Sequence, residues 1–275
     1  MIPLAAVIGS PVAHSRSPHL IAHWLRQLDL QGHYVPIDVP PERLDWTLQA
    51  LPLFGFRGVN VTIPHKVEVL EYAHAVTDRA ALIGAANTIT FKDDGTILAD
   101  NTDGHGFIQN LYANAPGWDP RAGIAAVMGA GGAARAVIAA LIEVGVPGIS
   151  LTNRSRGRAE ALRREFGPRI RVFDWTKAGN VIADASLVVN TTSLGMTGGP
   201  PFRVPTDGLH PGQVVTDLVY TPLDTPLLKA ARERGAWTVD GLGMLLHQAV
   251  PGFERWFGGR PAVDEAARAA ALGLR

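Results

Sequence analysis

The 275-residue sequence contains no cysteine. Disulfide bonds, thiolate zinc sites and cysteine nucleophiles are therefore excluded, and we expect a reducing, cytoplasmic location. Charge of one sign is not in excess either, because 25 Lys and Arg balance 25 Asp and Glu. Nucleic-acid and anionic-membrane partners normally require a basic surplus, so we expect neither.

Long apolar runs are also missing. The most apolar stretch, residues 122–150, is interrupted by Arg135, Glu143 and six glycines, which predicts strand, turn and helix rather than a membrane span. No basic region precedes the short apolar run at the N-terminus, so we do not expect a secretory signal. The 47% of hydrophobic residues suffices for the cores of two domains.

Short β-rich runs alternate with helical stretches along most of the chain. This alternation predicts an α/β fold with parallel sheets covered by helices on both faces. In the first half it predicts helices over 18–28, 42–54 and 64–73, and a β-hairpin around Asp94-Gly95. The strands are predicted in the segments LAAVIG, GHYVPIDV, GVNVTI, IAAVMG, GISLTN, LVVNTT, QVVTDLVY and AWTVDG.

A glycine-rich turn follows the strand that ends at Met128. Gly129, Gly131 and Ala134 match the G-x-G-x-x-G/A pattern, in which the small residues allow a tight turn, a close pyrophosphate and close helix packing. A glycine-rich turn without a ligand is the plainer alternative, but the flanking strand and helix favour a dinucleotide site. The expected cofactor contacts in this turn are Gly129, Ala130, Gly131, Gly132 and Ala133.

The strand after that helix ends in Asn153-Arg154-Ser155, with Arg158 behind it. An NAD site would place a carboxylate here to bind the ribose 2′-hydroxyl, whereas a guanidinium suits the 2′-phosphate of NADP. We therefore predict NADP, with a solvated basic helix start as the alternative.

Polar residues in the first half cluster at predicted strand ends and turns, among them Ser15, Ser17, Asn60, Thr62 and Asn87. They suit a polyhydroxylated ligand, although each would also serve as an ordinary turn cap.

Lys66 and Asp103 are the candidate acid/base pair in this half. Oxidation of a secondary alcohol by a hydride carrier requires a base for the hydroxyl proton, and the reverse reaction requires an acid. Lys66 is predicted in the first turn of the helix over 64–73, where the helix dipole disfavours a cation.

Histidines offer no metal site. His19 and His23 have i, i+4 spacing but no third ligand, so we expect helix-surface or packing residues and no metal. His14, His65 and His105 are interpreted as solvated turn residues.

The sequence resembles the shikimate dehydrogenases over residues 5 to about 257. The matching segments are GSPVAHSRSP, GVNVTIPHK, IGAANTI, DNTDGHGF, GAGGAARA, NRSRGRA, NTTSLGM, DLVYTPLDTPLL and DGLGMLLHQA. The resemblance implies reversible, NADP-dependent reduction of 3-dehydroshikimate to shikimate, on the route to chorismate and aromatic amino acids. It also implies a substrate domain over 1–103 with the helices of 244–275 packed on it, a Rossmann NADP-binding domain over 104–243, and a cleft between the two.

By the same resemblance, Lys66 and Asp103 are the catalytic pair. The implied shikimate ligands are Ser15, Ser17, Asn60, Thr62, Lys66, Asn87, Asp103, Tyr220 and Gln248. The implied NADP contacts are the glycine-rich turn with Asn153, Arg154, Ser155, Arg158, Leu218, Gly241 and Asp78. Ser155 stands where the family usually has threonine, and it keeps the hydroxyl.

Three alternatives stay open at this point. One is a quinate/shikimate dehydrogenase that uses NAD or NADP, and another is a non-catalytic NADP-binding sensor. The third concerns assembly, since both a monomer and a homodimer agree with the sequence.

Overall fold

A computed structural model describes residues 2–274. Within it the chain separates into two compact units. The first unit runs up to Asp103 and resumes at Leu246, and the second unit covers Gly104–Leu245. In the described part of the chain, no helix is long and apolar enough to cross a membrane.

The first unit contains a mixed six-stranded sheet with the order β2-β1-β3-β5-β6-β4. Strand β5 runs antiparallel to both β3 and β6, and the turn between β5 and β6 contains Gly95 with a left-handed φ of 85°. The strands are β1 (Leu4–Gly9), β2 (His33–Asp38), β3 (Phe56–Val61), β4 (Ala75–Val76), β5 (Thr88–Phe91) and β6 (Ile97–Asp100). The helices are α1 (Ser17–Gln27), α2 (Leu44–Ala50), α3 (Asp78–Ile83) and α10 (Glu265–Leu272), with short 3-10 helices at Pro41–Arg43, Leu51–Phe54 and Glu68–Tyr72.

The chain after Leu246 completes this unit through specific contacts. The indole of Trp256 donates a hydrogen bond to the Ile89 carbonyl at 3.2 Å, and the indole of Trp24 donates to the Ala262 carbonyl at 2.9 Å. The rings of Trp24 and Phe253 meet edge to face with centroids 5.5 Å apart. Both tryptophans therefore bury their apolar rings and still satisfy their N–H groups.

The second unit contains a six-stranded, entirely parallel sheet with the order β12-β11-β10-β7-β8-β9. Its strands are β7 (Ala125–Met128), β8 (Ile149–Thr152), β9 (Ile170–Phe173), β10 (Leu187–Asn190), β11 (Val214–Asp217) and β12 (Trp237–Val239). Its helices are α4 (Asp103–Asn114), α5 (Gly132–Glu143), α6 (Arg156–Phe166), α7 (Ala178–Ala183), α8 (Pro226–Glu233) and the start of α9 (Leu242–Phe257), with a short 3-10 helix at Trp175–Lys177.

Alternate residues of the central strands enter two different cores. Val127 and Val189 pack in one cluster, whereas Ala126 and Val188 pack in the other. A parallel sheet covered on both faces needs apolar side chains at every position, which explains the continuous hydrophobic runs of these strands. The predicted α/β class is confirmed.

Two local predictions were wrong. Lys66 does not lie in an α-helix, because residues 64–67 form turns and a 3-10 helix follows at Glu68–Tyr72. The helix predicted over 42–54 is likewise only α2, flanked by two 3-10 turns. Strand β9 was not predicted, and it is a short strand paired with β8 at the edge of its sheet.

Candidate active site

Lys66 and Asp103 form an ion pair in the first unit. The distance from Lys66 Nζ to Asp103 Oδ2 is 2.6 Å, and the two side chains are 31% and 11% exposed. The pair is thus largely removed from water but still reachable, which strengthens its electrostatic interaction relative to an exposed pair. An ammonium and a carboxylate held in this way can exchange a proton with a ligand hydroxyl.

The backbone around Lys66 is fixed from two sides. Its carbonyl accepts a hydrogen bond from the Ala86 N–H at 2.7 Å, and the N–H of His65 donates to the Thr62 carbonyl at 3.0 Å. The turn from Thr62 to Lys66 is therefore anchored by hydrogen bonds, in the absence of the predicted helix.

His65 is fully buried, so its interpretation as a solvated turn residue was wrong. Its Nε2 lies 2.6 Å from the Val39 carbonyl oxygen, which identifies Nε2 as the protonated nitrogen. The ring fastens the turn that carries Lys66 to the segment after β2. His14 and His105 are exposed, as predicted, but His105 lies in the first turn of α4 and not in a loop turn.

Asn87 organises the groups around Asp103. Its amide nitrogen donates to Asp103 Oδ1 at 2.8 Å and to Gln248 Oε1 at 3.0 Å. Its amide oxygen accepts from the N–H of Thr102 at 2.8 Å and from the hydroxyl of Thr88 at 2.9 Å. One oxygen of Asp103 is thus held by Asn87 and the other by Lys66, which fixes the orientation of the carboxylate.

Asn60 lies beside this network and is hydrogen-bonded to two neighbouring residues. Its Oδ1 accepts a hydrogen bond from the Tyr34 hydroxyl at 2.6 Å, and its Nδ2 donates to the Asn87 carbonyl at 3.3 Å. Burial raises the pKa of Tyr34 far above its ordinary value, so the hydroxyl stays protonated and remains a donor. Asn60 is thus held by two protein groups, and these bonds use only one of the two N–H donors of its amide.

The turns after β1 and β3 lie side by side. Ser10 donates its N–H to the Ile63 carbonyl at 3.0 Å, and Thr62 donates its N–H to the Ile8 carbonyl at 2.9 Å. A Cβ on Gly9 would lie 2.4 Å from the methyl carbon of Thr62, so only glycine permits this approach.

The hydrogen bonds between these two turns bring the segment with the predicted shikimate-binding residues after β1 next to the corresponding segment after β3. Ser15 and Ser17 continue the turn after β1, where the Ser15 hydroxyl accepts the Ser17 N–H at 3.3 Å.

The glycine-rich turn of the second unit joins β7 to α5. Gly129 has a left-handed φ of 113°, and a Cβ there would lie 2.4 Å from Thr191 Oγ1. At Gly131 and Gly132 a Cβ would meet nothing within 4 Å, so the outer side of the turn is open. Gly131 is the N-cap of α5 and has no side chain to accept the first N–H groups of the helix. These amides and the helix dipole form a ready site for phosphate.

The turn at the end of β8 carries three arginines that differ in their partners. Asn153 braces the turn by donating from Nδ2 to the Ser155 carbonyl at 2.8 Å. Arg154 and Arg158 are exposed and make no ion pair among the described residues. Arg156, in contrast, pairs with Asp174 at 2.5 Å and with Glu160 at 3.2 Å. The glycine turn and the unpaired guanidiniums together fit a dinucleotide that carries an additional phosphate.

Leu218 and Gly241 meet at the same edge of this sheet, since a Cβ on Gly241 would lie 2.5 Å from the Leu218 carbonyl oxygen. Gly241 follows β12, and Leu218 follows β11, which ends in the buried Asp217. This carboxylate accepts hydrogen bonds from Asn190 at 2.9 Å, the Val219 N–H at 3.0 Å and the Thr225 hydroxyl at 2.7 Å. Burial raises the pKa of Asp217 to about 6, because these neutral donors compensate only partly for the lost water.

Three family models match the chain. They describe a shikimate dehydrogenase substrate binding domain over residues 7–89, a shikimate/quinate 5-dehydrogenase over 121–196, and a shikimate 5′-dehydrogenase C-terminal domain over 241–272. A shikimate dehydrogenase (NADP(+)) of Cereibacter sphaeroides is 66% identical over 98% of this chain and 97% of its own length. The chain belongs to the shikimate dehydrogenase family.

Solved structures of the family have the same fold. A shikimate 5-dehydrogenase from Thermus thermophilus, in complex with NADP(H) and shikimate, is 37% identical, with a TM-score of 0.88 over 99% of both chains. A quinate dehydrogenase from Corynebacterium glutamicum, in complex with NAD, is 32% identical, with a TM-score of 0.91 over 99% of both chains. The predicted family and the predicted fold class, with a substrate domain and a Rossmann domain, are confirmed.

The structure groups most residues predicted from the family motifs. Lys66, Asn87, Asp103 and Gln248 are joined by direct hydrogen bonds. Ser15, Ser17, Asn60 and Thr62 belong to the same unit, whereas Tyr220 lies after β11 in the second unit.

All predicted cofactor contacts except Asp78 belong to the second unit. The glycine turn, the turn after β8, Leu218 and Gly241 all belong to the second unit. Asp78 does not, since it is an exposed residue at the start of α3 in the first unit.

Sequence reasoning missed Tyr34, which donates to Asn60, and Thr102, which donates to Asn87. Strand pairing would not have indicated the contact of Tyr34 with Asn60, because Tyr34 stands beside Ala5, whose partner on β3 is Gly58.

Proposed function

We propose that the protein is an NADP-dependent dehydrogenase that interconverts 3-dehydroshikimate and shikimate, with Lys66 and Asp103 as its acid/base pair. The observation that carries this proposal is the 2.6 Å contact between Lys66 Nζ and Asp103 Oδ2 in a polar, half-buried site. The first unit is the substrate domain and the second unit binds NADP.

The proton moves through this chain's own groups. When bound, NADP(H) supplies or accepts the hydride, so the protein has to supply or accept one proton at the oxygen of the same carbon. In the reduction, the Lys66 ammonium donates its proton to the carbonyl oxygen. In the oxidation, the Lys66 amine takes the proton back. Asp103 holds Nζ in place and compensates its charge, and Asn87 holds Asp103.

The substrate is recognised by polar groups from the turns around this pair. The proposed shikimate ligands are Ser15, Ser17, Asn60, Thr62, Lys66, Asn87, Asp103, Tyr220 and Gln248. Shikimate has three hydroxyls and a carboxylate, and hydroxyl, amide and ammonium groups together supply both donors and acceptors for it.

The cofactor is held by backbone and guanidinium groups. The open turn around Gly131 and the amides at the start of α5 are suited to the pyrophosphate. Asn153, Arg154, Ser155 and Arg158 are proposed to bind the adenosine end with its 2′-phosphate. Asp78 is retained as a proposed contact only on the basis of its position in the family pattern.

A steady-state assay tests the reaction. We expect oxidation of shikimate with NADP⁺ to exceed oxidation of quinate with NAD⁺ by at least about tenfold in kcat/KM, which corresponds to about 1.4 kcal/mol. The similarity to a quinate dehydrogenase complexed with NAD makes that pair the relevant competitor. The proposal is rejected if quinate with NAD⁺ is the better pair.

Replacing Lys66 by alanine tests the acid/base role. We expect kcat to fall by about 10²–10⁴ while the Kd for NADP⁺ changes less than about twofold, because loss of a general acid affects the chemical step. Lys92→Ala, on the exposed hairpin turn, is the matched control and should leave kcat unchanged. A Lys66→Ala enzyme with normal kcat would contradict the assigned role, and absence of turnover in the wild type would favour the sensor.

A further inference from the structure

A pocket of about 400 Å³ lies at the carboxyl edge of the second unit's sheet. It is bounded by segments that follow β8, β9 and β10. Its lining residues are Asn153, Arg154, Trp175, Thr192, Ser193, Leu194, Pro200, Pro201, Arg203 and Val204. In open α/β sheets, ligands bind at this edge, and the pocket includes Asn153 and Arg154 of the proposed NADP site.

The charge of this lining is unbalanced. Two of its residues are arginines and none is a carboxylate. Neither Arg154 nor Arg203 makes an ion pair with another described residue, whereas nearby Arg156 is neutralised by Asp174 and Glu160. Two like charges at one cavity disfavour each other, and an anionic ligand between them removes that cost.

Arg203 is placed by its neighbours in the chain. Val204 is buried and Phe202 partly buried, and both pack in the core that contains Val188. The two anchored side chains leave the arginine between them exposed at the rim of the pocket.

The loop that carries Arg203 is held by backbone hydrogen bonds. The Gly195 N–H donates to the Pro200 carbonyl at 2.9 Å, and the Thr197 N–H donates to the Thr221 carbonyl at 2.8 Å. A guanidinium on such a braced loop loses less freedom on binding than one on a loose loop.

We infer that Arg203 is a cofactor-specificity residue that binds the 2′-phosphate of NADP from the loop after β10. It acts together with Arg154, so the phosphate lies between two guanidiniums supplied by separate segments. Arg203 is outside every motif that indicated the cofactor contacts. The inference rests on the proposed function for the identity of the ligand.

Calorimetry on the full chain with Arg203→Gln tests this inference. We expect the Kd for NADP⁺ and for 2′,5′-ADP to rise about 3- to 10-fold, as for loss of a charge-assisted contact at a partly exposed site. The Kd for NAD⁺ and for 5′-AMP, which lack the 2′-phosphate, should change less than twofold. Arg203→Lys keeps the charge and should recover part of the affinity for 2′,5′-ADP.

Arg164→Gln is the matched control, because Arg164 is an exposed arginine on α6 that does not line the pocket. It removes the same charge from the same unit and should change the Kd for 2′,5′-ADP less than twofold. An equal effect of Arg164→Gln, or an equal effect of Arg203→Gln on 5′-AMP and 2′,5′-ADP, overturns the inference.

The two proposals fail in distinguishable ways. If the wild type oxidises shikimate with NADP⁺ and Arg203→Gln binds 2′,5′-ADP as tightly, this inference fails and the proposed function stands. If the wild type binds 2′,5′-ADP in an Arg203-dependent manner but does not oxidise shikimate, the proposed function fails and the assignment of Arg203 stands.

Discussion

Each unit has a fully buried aspartate at the carboxyl end of a strand, Asp100 on β6 and Asp217 on β11. Burial alone raises the pKa of both. At Asp100, hydrogen bonds from Arg79 at 2.5 Å and Arg255 at 2.6 Å outweigh burial and hold the pKa well below its ordinary range. At Asp217 the donors are neutral, and the pKa rises to about 6.

The difference shows that the charge of the partners, rather than the depth of burial, decides whether a buried carboxylate is stabilised. The first unit pairs its charges internally at Asp100 and again at Lys66 and Asp103. In the second unit, within the part of the chain that the structure describes, Asp217 has no cationic partner, and Arg154 and Arg203 have no anionic one. At the proposed substrate site the charges are thus already paired within the protein, whereas at the proposed cofactor site two guanidiniums remain available for an anionic ligand.

Removing the carboxylate from the cluster of Asp100, Arg79 and Arg255 should have the largest effect on the free energy of unfolding. Asp100→Asn leaves two guanidiniums without their carboxylate, and we expect the free energy of unfolding at pH 7 to fall by about 3 kcal/mol or more. Because the folded pKa of Asp100 is depressed, this stabilisation exists above its ordinary pKa and is lost as the pH falls.

The measurement for this cluster is urea unfolding of wild type and Asp100→Asn at several pH values. The difference between them should shrink as the pH falls below about 4. An Asp100→Asn protein as stable as the wild type at pH 7 would refute the importance of this cluster.

Replacing Asp217 by asparagine sharpens the contrast, because the pKa of Asp217 is raised and its contribution to the free energy of unfolding changes with pH in the opposite direction. A raised pKa gives stability that is present below the ordinary value of 3.8 and is lost as the pH rises to about 6. Between pH 4 and 7 the wild type should therefore lose up to about 3 kcal/mol of unfolding free energy relative to Asp217→Asn. Denaturant titrations across this range measure the change, and a pH-independent difference would contradict the raised pKa.

The smallest effect is expected at an exposed pair of the same chemistry. Arg57 and Asp93 lie 2.7 Å apart with side chains 49% and 92% exposed. Because solvent screens this pair, Arg57→Ala should change the free energy of unfolding by less than about 0.5 kcal/mol. A loss comparable to that of Asp100→Asn would mean that proximity alone, without burial, determines the strength of these pairs.

Much of the fold could be predicted from the sequence where a local pattern decides the structure. Helix α1, strands β1 to β3, the hairpin at Gly95 and the turn at Gly129 follow apolar spacing and glycine placement. The predicted family, the α/β fold and NADP as the cofactor are confirmed. The division of the chain into named domains and the roles of individual site residues stay predictions.

The errors occurred where distant contacts override local preference. The apolar spacing after Pro64 predicted a helix, but the turn at Lys66 is fixed by Ala86 and by the buried His65, which lie against other segments. A histidine in a turn motif gives no local sign that it will be buried. Arg203 was not predicted either, because only the folded loop brings it to the pocket that contains Arg154.

The return of the chain to the first unit at Leu246 has a consequence for synthesis. Gln248, Arg255 and Trp256 contact Asn87, Asp100 and Ile89, which the ribosome makes more than a hundred residues earlier. During translation the second unit is complete before these partners arrive, so the unit that begins first is finished last. Until then, Asp100 has Arg79 but not Arg255, and the Ile89 carbonyl of β5 lacks its bond from Trp256, so the nascent first unit is less stable than the finished one.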